Sequence, residues 1–149
     1  MDKILISKCL LGENVKYSGG NNKIENSIIE KWKNEGRLIP ICPEVEGGLP
    51  TPRPPSEIRD SRVINNLGCD VTEQFAHGAK IACEKAKISG AKYALMKQGS
   101  PSCGSKRIYD GTFSGTKKPG MGITARLLSD MGIRIFDENE INILSDIVK

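Results

Sequence analysis

Four short apolar runs, separated by longer helical or Gly- and Pro-rich segments, constrain the fold of this chain more than any other feature. The runs cover residues 3–7, 38–41, 93–96 and 133–136. Each is too short for a buried helix and carries apolar residues at most positions, which is typical of strands that are covered on both faces. The sequence therefore predicts about four core strands.

Apolar residues at helical spacing predict helices between and after these strands. The first helix carries apolar residues from Ile24 to Trp32, with Gly36 as its stop. The second is capped by Asp70 or Thr72, the third spans 123–131, and the last begins at Asp137 or Asn139. The positions expected to face the core are Ile28, Ile29, Phe75, Ala79, Ala82, Cys83, Ala86, Leu127, Leu128, Ile141, Leu144 and Val148.

The alternation of strands and helices indicates the α/β class. We expect a three-layer Rossmann-like fold with a mostly parallel sheet of about four core strands. Residues 62–64 and 69–71, joined around 65–68, predict a small β-hairpin. Four prolines within 50–55 exclude a helix or a central strand there and predict an ordered loop or flap. We find no linker or repeat and expect one domain over residues 1–149.

Composition and charge narrow the functional classes. With 38% hydrophobic and 27% charged residues, the chain has the composition of a globular protein. The net charge of +4 comes from scattered basic residues, which does not favour nucleic acid as a partner. No apolar run has the length of a signal peptide core or a membrane span, so we expect a cytoplasmic protein without a membrane partner. No GxGxxG or P-loop pattern follows a strand, which argues against a nucleotide-phosphate site.

Five cysteines and a single histidine are the most distinctive reactive groups. Cys9 follows the first predicted strand, Cys42 the second and Cys103 the third, each in a Gly-, Pro- or Ser-rich turn. Parallel strands place their carboxyl ends at one edge, where α/β proteins bind ligands. We therefore expect these three thiols to lie close together. Cys69 falls in the hairpin and Cys83 on an apolar helix face, where cysteine usually acts as a small apolar residue.

The three cysteines by themselves leave several interpretations open. Three thiolates suit an iron–sulfur cluster, or a zinc ion with one open position. A single reactive cysteine with a disulfide partner is a further possibility, although no histidine base accompanies it. Three incidental buried thiols also satisfy the spacing.

Several motifs resemble a known family over nearly the whole chain. They are Ser7–Gly12 with Val15–Tyr17, Cys42–Arg53, Gly68 with Asp70–Thr72, Ser100–Gly104, Tyr109–Phe113 and Gly120–Ala125. In combination they resemble the family long described as a domain of unknown function, to which the thiouracil desulfidases belong.

The resemblance implies a [4Fe-4S] cluster held by Cys9, Cys42 and Cys103, with one iron open. It further implies that this iron binds the sulfur of a thiocarbonyl substrate such as 2- or 4-thiouracil while water attacks the ring carbon. Uracil and sulfide would form without net redox change. The partner implied is a small thiolated nucleobase or thioamide.

The resemblance also assigns roles to two further side chains. Glu44 would be the acid/base residue, and Ser100 would position substrate or water, with Ser102 as the competing serine. The same loop, through Ser102, Gly104 and Ser105, offers hydroxyl and backbone N–H groups that could hold the edge of a pyrimidine. The alternative is a non-catalytic metal- or sulfur-binding module that uses the same three cysteines.

Overall fold

The computed structural model describes all residues, 1–149, as eight strands, five α-helices and a 3-10 helix (Lys8–Leu11). The strands are β1 (Ile4–Ser7), β2 (Leu38–Ile41), β3 (Ser56–Arg59), β4 (Arg62–Asn65), β5 (Tyr93–Leu95), β6 (Arg107–Tyr109), β7 (Lys117–Pro119) and β8 (Arg134–Phe136). The helices are α1 (Ser27–Asn34), α2 (Pro43–Glu46), α3 (Thr72–Ser89), α4 (Ile123–Asp130) and α5 (Ile141–Ile147).

The predicted parallel sheet of four core strands is confirmed. Its strand order is β2-β1-β5-β8, and all three pairings are parallel. From β1 the chain moves first to one side, to β2, and then crosses to the other side, to β5 and β8. The direction of winding therefore reverses between β1 and β5, and ligands of α/β proteins bind outside the strand ends at such a point.

Helices cover both faces of the sheet, as the three-layer prediction requires. Because side chains alternate along a strand, Leu5 faces one layer while Ile4 and Ile6 face the other. Leu5 packs in a cluster with residues of α3 and α4, and Ile4 and Ile6 pack with residues of α1 and α5. None of the five helices is both long and apolar enough to span a bilayer.

The helices lie close to their predicted positions. Asn26 caps α1 through its side chain, which accepts from the backbone N–H groups of Ile28 and Ile29. Asp70 accepts from the N–H of Thr72 at the start of α3, whose predicted face is buried at Phe75 and at three alanines. The last helix begins at Ile141, a little later than predicted.

The predicted small antiparallel hairpin is confirmed, but the main partner of residues 62–65 is a segment that was not predicted. They pair in antiparallel register with 56–59, directly after the prolines. The predicted partner, 69–71, also pairs with them, through a bridge between Ile64 and Asp70 and two backbone hydrogen bonds. A second hairpin, β6 with β7, and the short helix α2 were not predicted. The proline-rich loop itself is ordered and ends in a strand.

Candidate functional site

A cleft of about 550 Å³ opens at the carboxyl edge of the sheet, where the winding reverses. Cys9, Cys42 and Cys103 all line it, and they come from three different strand ends. Cys69 is exposed in the turn after β4, and Cys83 packs against the core from α3. The structure thus brings together the three cysteines expected at the strand ends and leaves the other two elsewhere.

Local structure holds each of the three cysteines in place. Cys9 lies in the 3-10 helix that directly follows β1, and its carbonyl accepts from the N–H groups of Gly12 and Asn22. Cys42 stands between β2 and α2, with its N–H donating to Glu46 at 2.7 Å. The N–H of Cys103 donates to the hydroxyl of Ser100 at 3.0 Å. Each cysteine is therefore held in place through its backbone.

Burial dominates the electrostatics of the three thiols. It raises the pKa of Cys9, Cys42 and Cys103 above the ordinary thiol value, most strongly for Cys103. A nucleophilic cysteine needs the opposite shift, because the thiolate is the reactive form. None of the three thiols therefore has the lowered pKa of an activated nucleophile.

The three cysteines do not form a site for a single metal ion. No group of three or more His, Cys, Asp or Glu side chains is arranged to hold one metal ion. The interpretation as a single zinc ion with an open position is not supported by this geometry. The three thiols line one cleft, and Cys9 and Cys42 lie close enough to Cys103 to influence its pKa.

Glu44 lies beside these thiols in α2, in the turn that follows Cys42. Its Oε1 accepts from Nε of Arg53 at 3.1 Å, and its Oε2 lies 3.5 Å from the hydroxyl of Ser100. The Arg53 side chain is only 4% exposed and also donates to the carbonyls of Pro50 and Val15. Arg53 therefore fixes the carboxylate and ties the proline-rich loop to the edge of the cleft.

Only part of the predicted serine loop lines the cleft. Ser100 lines the cleft, and its hydroxyl accepts from the N–H groups of Ser102 and Cys103. Ser102 is fully buried, and its hydroxyl is 2.8 Å from that of Thr124. Gly104 and Ser105 do not line the cleft. Because the loop turns back onto α4 after Pro101, only Ser100 of the predicted serines faces the site.

The cleft carries more positive than negative side chains. Lys8, Lys16, Arg53 and Lys97 line it, against Glu44 and Glu57. Lys97 forms an ion pair of 2.9 Å with Glu138 and lies close enough to Cys9 to lower its pKa in part. This balance suits an anionic group at the thiols.

Several residues of the cleft were not singled out from the sequence. Arg53, Lys97, Glu57 and Phe113 all line it. Arg53 and Phe113 belong to motifs that the sequence displays, but their contacts join segments far apart in the chain. Only the folded structure shows which of them meet.

The fold and the site together define a class: an α/β protein with three thiols and one fixed carboxylate at the sheet's switch point. Comparison with known proteins agrees. The 2-thiouracil desulfurase family profile matches residues 4–140. This chain therefore belongs to the 2-thiouracil desulfurase family.

Two individual relatives extend this finding. The uncharacterized protein YbbK of Bacillus subtilis (strain 168) is 40% identical over 149 aligned positions, which cover 93% of this chain and 97% of YbbK. The solved structure of the [4Fe-4S]-dependent thiouracil desulfidase TudS superimposes with a TM-score of 0.95 at 42% identity. That match covers 99% of this chain and 100% of TudS.

Proposed function

We propose that this protein is an enzyme that replaces the sulfur of a thiolated pyrimidine, such as 2- or 4-thiouracil, by oxygen. The reaction takes place at a [4Fe-4S] cluster held by Cys9, Cys42 and Cys103. The observation that carries the proposal is the convergence of three strand-end thiols and the fixed Glu44 carboxylate on one cleft. Family membership and the likeness to TudS support it.

The residues present fit such a cluster. A cluster offers a different iron to each cysteine, so its ligands surround it and do not meet at one ion. The three thiols line one cleft, and the basic residues Lys97 and Arg53, which line it too, complement the negative charge of a group bound by three thiolates. With only three protein ligands, one iron remains free for substrate. When bound, the cluster supplies that iron as a soft Lewis acid for the thiocarbonyl sulfur.

Glu44 is the group that moves protons. Because Arg53 occupies Oε1, the carboxylate presents Oε2 toward Ser100 and the cleft. We assign Oε2 to accept a proton from the attacking water and to return it to the departing sulfur. Ser100 holds the water or the substrate edge beside this oxygen. The carboxylate needs no rotation between the two steps, since both occur at the same atom.

The overall reaction balances without a further reactant. Water supplies the oxygen, a C–O bond forms as the C–S bond breaks, and the two protons of water leave with the sulfur as hydrogen sulfide. No electron is gained or lost. The products from 2-thiouracil are uracil and sulfide in equal amounts.

The test compares matched variants of anaerobically reconstituted protein. Wild type should release sulfide and uracil in a one-to-one ratio from 2-thiouracil. Glu44→Gln keeps an acceptor for Arg53 but cannot take a proton, so kcat should fall by about 10²- to 10⁴-fold at unchanged iron content. Glu73→Gln, an exposed position on α3, is the matched control.

The outcomes separate the two candidate functions. Full turnover by Glu44→Gln would remove Glu44 from the mechanism. A protein that binds the full cluster but releases no sulfide from thiolated pyrimidines or thioamides would be the non-catalytic binding module instead.

The compartment belongs to the same proposal. All five cysteines are free, which is the usual state of thiols in a reducing environment. We propose that the protein works in the cytoplasm.

A further inference from the structure

The segment Tyr109–Phe113 is prominent in the sequence, and the proposed reaction gives it no role. It begins at the last residue of β6, and both of its aromatic residues line the cleft that holds the three cysteines. We call residues 111–113 the aromatic turn. Its contacts show that it is held in one conformation.

Glu57 of β3 binds the backbone of the aromatic turn. Its Oε1 accepts from the N–H of Gly111 at 2.9 Å and from the N–H of Phe113 at 3.1 Å. Glu57 is only 8% exposed and forms no ion pair with a lysine or arginine. A buried carboxylate without a cation is costly unless hydrogen bonds satisfy it, so these two bonds are its main compensation.

Arg59 contacts the same turn. It lies on the same face of β3 as Glu57, because residues two apart on a strand share a face. Its Nε and Nη2 donate to the carbonyl of Gly111 at 3.0 and 2.7 Å. Its guanidinium carbon lies 6.0 Å from the centre of the Phe113 ring, within the range of a cation–π contact. Glu57 and Arg59 thus fix both the backbone and the ring.

The backbone of the aromatic turn is strained at two positions. Phe113 has φ of 57°, in the left-handed region that bulky residues rarely adopt. Gly111 has φ of 93°, and a Cβ there would come within 2.8 Å of the carbonyl oxygen of Ile58. Strain maintained at a cleft-lining aromatic residue points to a function for that ring.

We infer that Phe113 stacks on the planar ring of the substrate, and that Glu57 and Arg59 are the residues that position it. The inference rests on the proposed function for the identity of the substrate. A preformed aromatic surface favours a flat, conjugated thioamide over a saturated one, because stacking needs contact over the whole ring face. Phe113 is therefore the residue that selects pyrimidines among thioamides.

The test uses binding of two unreactive ligands to the anaerobic holoenzyme, measured by calorimetry. Uracil is planar, whereas 5,6-dihydrouracil presents the same carbonyl and N–H groups on a puckered ring. Wild type should bind uracil more tightly. Phe113→Leu should weaken uracil binding on the order of tenfold and dihydrouracil binding much less, within the range known for base stacking on aromatic side chains.

Two further variants test the role of Phe113 and of the residue that positions it. Phe113→Tyr should retain the preference for uracil. Glu57→Ala releases the aromatic turn and should reduce the preference as Phe113→Leu does, with iron content unchanged. Equal binding of the two ligands by wild type, or equal weakening of both by Phe113→Leu, would overturn the inference.

Failure of the proposed function gives a different result. In that case 2-thiouracil would not be turned over by wild type while the preference for uracil remained, because the binding assay involves no reaction.

Discussion

Replacing Gly78 by Ala should destabilise the protein and loosen the candidate site at the same time. Gly78 lies in α3 beneath α2, where a Cβ would come within 1.8 Å of the carbonyl oxygen of Pro43. Gly47, just after α2, is in equally close contact, since its Cβ would meet the carbonyl oxygen of Gln74 at 2.0 Å. The two helices therefore touch through their backbones, and α2 carries Glu44 and directly follows Cys42.

The magnitude follows from two opposing terms. In a helix interior, alanine is more favourable than glycine by about 1 kcal/mol. Against this, a Cβ almost never comes closer than 3.0 Å to a backbone oxygen, so α2 has to retreat by about 1.2 Å. Overpacking of this kind costs about 1–3 kcal/mol, and backbone on both sides leaves no flexible side chain to yield. The cost should therefore lie at the upper end of that range, about 3 kcal/mol, and we expect a net loss of about 2 kcal/mol in the free energy of unfolding.

Urea unfolding of the cluster-free protein measures the loss, and iron content after anaerobic reconstitution measures the effect on the site. Lys80→Ala is the matched control, since Lys80 is an exposed residue of the same helix and should change stability by less than about 0.5 kcal/mol. Iron content should fall only for Gly78→Ala. A Gly78→Ala protein that is as stable as wild type and binds as much iron would refute the argument that backbone contact positions α2.

Three further changes test other parts of the structure. Arg53→Met frees the Glu44 carboxylate and the proline-rich loop, so sulfide release from 2-thiouracil should fall at least about tenfold with iron retained, on the scale expected for a displaced acid/base group. Ser102→Ala leaves the buried Thr124 hydroxyl without its partner and should cost about 1–3 kcal/mol in urea unfolding. A hydrogen bond from Arg62, the first residue of β4, lowers the pKa of Asp70 from 3.8 to about 2. This contribution is complete above pH 4 and is lost as pH falls toward 2, so the Tm difference between wild type and Asp70→Asn should shrink over that interval.

Much of the fold was predictable because its core strands and longest helix carry strong local patterns. Residues 4–6 form an unbroken apolar run, and the alanine face of α3 repeats at helical spacing. The strand order β2-β1-β5-β8 was not predicted, because the right-handed crossover rule sets the hand of each connection and leaves the order of the strands open. The location of Cys9, Cys42 and Cys103 followed from the strand ends alone.

The elements that the sequence did not reveal depend on contacts between distant segments. Strand β3 follows a run of prolines and becomes a strand because β4 pairs with it and because Glu57 and Arg59 bind the aromatic turn. Helix α2 is only four residues long, and its position depends on Gly78 in α3. Local propensity carries no information about either contact.

The serine loop shows the same limit at the site. The family resemblance favoured Ser100 and left Ser102 as its competitor, and only their tertiary partners distinguish them. Ser100 turns toward Glu44, whereas Ser102 is paired with Thr124 behind the loop. Two residues of separation along an irregular loop say nothing about which side chain faces a cleft.

Iron and inorganic sulfide content of five single Cys→Ala variants tests the central claim most directly. After anaerobic reconstitution, wild type and the variants of Cys69 and Cys83 should each hold a complete [4Fe-4S] cluster. The variants of Cys9, Cys42 and Cys103 should each lose it. A full cluster in any of these last three, or its loss on changing Cys69 or Cys83, would contradict the assignment of the three strand-end cysteines as its ligands.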